Sequence, residues 1–158
     1  MASEIKVDTI VNAGGDNDTG IDLATNDQIL LKVANATRLT MNSTGQTTIV
    51  GENGTTTTSV QQGLIKAWCK FQGNASTIAN EDSFNVSGLT DNGTGDYTVA
   101  VDNDMANDDY STTCHASHYN YLYNNANTSA SQIRFVSSNG SSAADTEECG
   151  IQICGELA

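Results

Sequence analysis

The residues best equipped for chemistry in this chain are two histidines, four cysteines and several runs of aspartate. Cys114-His115, with His118 close behind, offers the ligand types of a transition-metal site. On a strand, though, Cys114 and His118 share a face while His115 points away, so one chain does not converge the three. A ring of histidines about a symmetry axis is the remaining metal reading; a packed strand with polar histidines is the simpler one. Asp16-Asn17-Asp18-Thr19-Gly20 has the oxygen-rich opening of a calcium loop. Its twelfth position is Asp27 where such a loop needs glutamate, and no helical pattern flanks it, so a solvated turn is expected. Asp102, Asp104 and Asp108, with Asn103 and Asp109, form a second oxygen cluster. Ca²⁺ or Mg²⁺ there is the one alternative to the expectation of no cofactor.

Nucleophilic catalysis finds little to work with. Any Ser-His-Asp triad would have to use His115 or His118, and there is no GxSxG elbow. No GxxxxGK[ST] or GxGxxG run is present to cradle phosphates. The expectation is a protein that is not an enzyme, with no catalytic residues. The cysteines, Cys69, Cys114, Cys149 and Cys154, lack CxxC spacing. If 148–157 is one strand, Cys149 and Cys154 stand roughly 17 Å apart on opposite faces, too far to bond. They read as free thiols of a reducing compartment. Tyr119, Tyr121 and Tyr123 recur with period two and would line one face of a strand. That face is core or subunit interface, or, at an exposed tip, a set of rings to stack on sugars or grip a host receptor.

These groups must be held by a sparse chain. Of 158 residues, 37% are hydrophobic, below the ~45–50% of typical domains, a figure that also counts glycine. Asn, Thr and Ser supply about a third of the sequence. So little apolar surface points to an elongated or oligomeric protein whose neighbours complete its burial. There is no proline, as suits a chain made almost entirely of paired strands. Six basic residues against nineteen acidic ones give a net charge of −13. That excludes nucleic acid and anionic membrane surfaces as partners, since phosphates need Lys and Arg. No stretch approaches the ~20 apolar residues of a membrane helix, so no membrane insertion is expected. MASEIKVDTI is not a signal peptide, which places synthesis in a cytoplasm.

Periodicity supplies the elements. Residues 3–11, SEIKVDTIV, alternate as a strand, and 12–20 form a Gly- and Asx-rich loop. Short strand-like pieces follow at Gly20–Leu23, Gln28–Val33, Thr37–Met41 and Gln46–Val50. A two-turn helix within 26–41 is the alternative to strands there, disfavoured by its β-branched and Asn/Thr content. NGTTTTSV at 53–60 reads as a linker or an edge strand. The division is therefore a segment 1–60, for attachment or shaft, and a body 61–158. Strands are expected in the body at 63–72, 82–89, 95–102, 111–123, 131–137 and 148–157, with DNGTG at 91–95 a turn. The fold class is all-β, with an antiparallel β-sandwich or jelly-roll-like body. Core or interface candidates are Trp68, Phe71, Phe84, Tyr119, Tyr121, Tyr123, Ile133, Phe135, Ile151 and Ile153, with Trp68 and Phe84 as anchors.

LIKAWCKF at 64–71 and SFNVSGLTDNGTGDYTV at 83–99 resemble a C-terminal module of short fibre and tail-fibre proteins of marine bacteriophages. The opening SEIKVDTIV, with the short Gly-rich β pieces after it, is similar to the start of such fibre repeats. The resemblance implies a virion structural protein, a homotrimer, with no catalytic residues to carry over. Expected partners are two further copies, other virion proteins through segment 1–60, and a host surface glycan or receptor. A capsid decoration protein and a glycan-binding adhesin are the alternatives.

Overall fold

The structure is a computed structural model, described here for residues 6–12, 14, 18–51, 54–117, 123–124 and 128–158. It is almost wholly antiparallel β. The chain divides into two compact units, Met1–Gly63 and Leu64–Ala158.

The first unit is one six-stranded meander in sequence order. Its strands are β1 (Thr9–Val11), β2 (Gly20–Asp22), β3 (Ile29–Val33), β4 (Ala36–Met41), β5 (Thr47–Val50) and β6 (Thr57–Ser59). The only helix among the described residues, α1 (Val60–Gly63), follows it. The 26–41 stretch is a hairpin, as β-branched residues favour. Its turn is Ala34-Asn35, with φ of 53° and 59°, the pair of positive values that matches a hairpin to strand twist. Of the strand expected over 3–11, residues 3–5 lie outside the described residues, 6–8 are not strand, and β1 begins at Thr9. NGTTTTSV supplies the edge strand β6.

The second unit is a sandwich of two four-stranded sheets. One has the order β11-β14-β7-β8, from β7 (Ile65–Phe71), β8 (Asn80–Phe84), β11 (Ser111–Ala116) and β14 (Cys149–Cys154). The other has the order β12-β13-β10-β9, from β9 (Val86–Gly93), β10 (Asp96–Val101), β12 (Tyr123–Asn124) and β13 (Gln132–Val136). Alternation fills the space between them. Ala67, Cys69 and Phe71 meet Cys149, Ile151 and Ile153 from one sheet, and Tyr97, Val99, Val101, Ile133 and Phe135 from the other, all in one cluster. Phe71, Tyr97 and Phe135 form its aromatic centre, with ring centroids 5.2, 6.1 and 5.7 Å apart and none stacked face to face.

Three expectations change here. The strand expected at 82–89 is two strands in different sheets, joined by Asn85 at φ 54°. Trp68 and Phe84 are not core anchors. Period two puts Trp68 with Lys70 on the outward face of β7, opposite Ala67, Cys69 and Phe71, while Lys66, beside an irregularity in the pairing, is buried with its ammonium on the Leu64 carbonyl. Phe84, paired directly with Trp68, shares that face and is 55% exposed. The 111–123 strand ends at Ala116. Tyr119 and Tyr121 lie outside the described residues; Tyr123 opens β12.

Candidate functional site

Burial favours the protonated forms of the Cys69, Cys114 and Cys149 thiols and of the Tyr97 and Tyr110 hydroxyls. Cys114 and Cys69 flank Ile151 in one cross-strand row on the inner face. Burial pushes the Cys69 thiol up to about 12 and the Cys114 thiol up to about 11. Cys149, also raised by burial, lies 3.0 Å from Thr146 Oγ1. All four cysteines are free. His115 sits on the outer face, its ring laid against the backbone of Gly150, where a Cβ would come within 2.1 Å of it. Cys114 and His115 thus face opposite ways, and His118 lies outside the described residues.

The deepest polar network is at Tyr97. Its hydroxyl lies 2.9 Å from the Gly73 carbonyl and 3.0 Å from Asp145 Oδ1. Asp145 Oδ1 also accepts the Gly95 amide at 2.6 Å. Burial, then the Asp145 carboxylate, raise the tyrosine's pKa far above its ordinary value. Ser137 donates to the Ala144 carbonyl at 2.5 Å. These bonds clamp the 138–146 loop over the β9–β10 turn. Every member bonds to a protein group, so the network fastens a loop.

The aspartate cluster does not converge. Asp102, Asp104 and Asp108 are exposed along the loop after β10. Among the described residues no group of three or more His, Cys, Asp or Glu side chains is arranged to hold a metal ion. Nor is any helix among them long and apolar enough to cross a membrane.

Two surfaces remain. On the outer face of the β11-β14-β7-β8 sheet, Thr113, Gln152, Trp68 and Phe84 form one cross-strand row. Beside it Lys70 bridges Glu148 at 2.9 Å and Glu81 at 3.3 Å. The lysine bond lowers the Glu148 pKa, and the two carboxylates raise that of Lys70. The row is a polar-edged aromatic platform, and its two aromatic members, Trp68 and Phe84, are the residues expected as core anchors.

The second surface is one face of the six-stranded sheet. Register places Ile10, Ile21, Leu31, Leu39, Ile49 and Thr58 in a continuous row, one residue from each strand. Ile29, Met41 and Thr47 form a second row on the same face. The opposite face is mixed: it carries Thr9, Asp22, Leu30, Thr40 and Thr48 in one row, with Val11, Lys32 and Val50 beside it and Asp22 and Lys32 ion-paired. Every buried apolar residue among those described belongs to the second unit. The sheet therefore has an apolar side that no described residue of its own unit covers. Period-two apolar residues in 29–33 and 39–41 announce such a face; the register that joins them is non-local. A scan of protein-family models, a search of curated proteins and a search of solved structures each returned no match.

Proposed function

We propose that the chain is a non-enzymatic structural virion protein of a tailed bacteriophage, a homotrimeric short fibre at the tail or capsid surface. The observation that carries the reading is the first unit's one-layer sheet, which has no buried apolar residue of its own among those described. A single sheet with one apolar face gains burial only from a second layer, and a fibre subunit obtains that layer from its neighbours. The resemblance of 64–71 and 83–99 to phage fibre modules supports the virion assignment and the number three. Closed cyclic symmetry is the usual form of such assemblies. Segment 1–60 docks on other virion proteins and 61–158 forms the knob; no step involves nucleic acid, membrane insertion or a cofactor. Light scattering on the purified full chain, with and without SDS, tests the oligomer: a monomer in mild buffer sinks it. Imaging of labelled virions separates a tail fibre from a capsid decoration protein.

A second reading, a glycan-binding adhesin, is favoured by the outward Trp68–Phe84 pair beside Gln152. Aromatic faces with a neighbouring amide suit the mixed apolar and hydroxyl surface of a sugar ring. Trp68 is the only tryptophan, so its fluorescence reads the platform directly. Titration with host-surface polysaccharide shifts the emission if this reading holds and leaves it unchanged otherwise.

A further inference from the structure

We infer that the face bearing Ile10, Ile21, Leu31, Leu39 and Ile49 is the self-association surface, and that its occupant is the same face of other copies of this chain. The inference rests on the fibre reading and names the contact that holds the fibre together. Three observations point to it.

The face is apolar from β1 to β5 and open. Ile10 is 53% exposed, Ile29 40%, Leu31 37% and Ile49 39%. Six strands span about 24 Å across the sheet, and three side-chain positions along the central strands add about 13 Å, giving a flat footprint of about 300 Å². That matches the largest apolar patch of a typical soluble protein, which often has a function.

The paired positions of the face are also uncharged. Within the paired registers its residues are Ile, Leu, Met, Val, Ala and Thr, while the Asp22–Lys32 pair lies on the other side. The chain carries a net charge of −13, so two copies repel across most of their surfaces. Here they meet without that cost.

Finally, the face lacks the features that select a foreign partner. Specific recognition of a different protein uses buried aromatic or arginine anchors and paired charges. This face offers neither, only the hydroxyls of Thr47 and Thr58 at its margin. Ile and Leu of nearly equal reach give it an even relief, and three such faces turned toward one three-fold axis bury their rows against one another with interdigitated side chains. A second copy supplies a matching surface automatically.

The test is the solution mass of the full chain by light scattering, for wild type and three variants. Leu31→Asp places a charge at the centre of the row, and Thr48→Asp places the same charge on the opposite face. Wild type and Thr48→Asp are expected to remain trimeric, and Leu31→Asp to dissociate at least tenfold more readily. If Leu31→Asp loses its β circular dichroism, Ile49→Thr decides, because it keeps a β-branched strand residue while trimming the apolar row; weaker assembly with an unchanged spectrum is expected. A trimeric wild type with Leu31→Asp or folded Ile49→Thr assembling equally well overturns this surface and leaves the fibre reading standing. Dissociation by Thr48→Asp to the same extent also overturns it. A monomeric wild type overturns both.

Discussion

Asn85 holds a left-handed φ of 54° where the chain leaves one sheet of the sandwich for the other. Its side-chain amide donates to the carbonyls of Lys66 at 3.0 Å and Asn103 at 3.2 Å, and its oxygen accepts the Asn103 amide at 2.7 Å. Asn tolerates this backbone region better than other non-glycine residues. Asn85→Gly keeps the conformation and loses the bonds, at about 1–2 kcal/mol; Asn85→Ala adds left-handed strain, for about 2–4 kcal/mol in total. Urea denaturation of the two variants checks the order. Phe135→Ala is expected to cost about 3–5 kcal/mol and Phe84→Ala under about 0.5 kcal/mol in the same measurement. The two phenylalanines look alike in the sequence. Their neighbours tell them apart: Phe135 alternates with Ile133 around Arg134, whereas Phe84 is paired with Trp68, which alternates with lysines. The lysine parity was legible in IKAWCKF, but the expectation followed ring size instead. Tyr97, fully buried, was legible in the same way from its spacing to Val99 and Val101.

At the scale of elements, most of the body's strands follow from period two and from turn residues, because both are local. Of DNGTG, Asp91–Gly93 end β9 and only Thr94-Gly95 make the turn into β10, with Gly95 at φ 67° and the Ala144 and Ser137 backbones within 2.7 Å of where its Cβ would lie. Gly95→Ala therefore meets both strain and a clash with backbone, and is expected to lower the melting temperature by several degrees, equivalent to about 2–3 kcal/mol. An unchanged melting temperature would show that the 138–146 loop yields freely. What periodicity does not carry is pairing. The break at Asn85 leaves no gap in the apolar pattern, so two strands read as one. The row from Ile10 to Thr58 joins six segments through five registers, and no single segment contains it.

For the whole molecule, pH acts from two sides. Cys69 and Cys114 have pKa values raised by burial to about 12 and about 11. Unfolded thiols ionise near ~8.5, so the stabilising difference is intact below that pH and is lost as pH rises toward the folded values. Thermal melts between about pH 8 and 10.5 should show falling stability, and Ellman's reagent should leave Cys69 unlabelled in the native protein. On the acid side the Arg134 hydrogen bonds, at 2.8 and 2.6 Å, hold the Asp96 carboxyl below its ordinary value. That contribution is present above the unfolded carboxylate pKa of ~3.9 and is lost as pH falls through the folded one. The bend at Asn85 has a further consequence for how the molecule comes apart. One continuous stretch of backbone, β8 into β9, belongs to both sheets of the sandwich. Neither sheet can open without releasing the same corner, so amides in the centres of β7 and β10 should exchange with deuterium at one common free energy, as a single foldon. The first unit's sheet shares no such corner, and its amides should exchange sooner whenever the chain is kept from assembling.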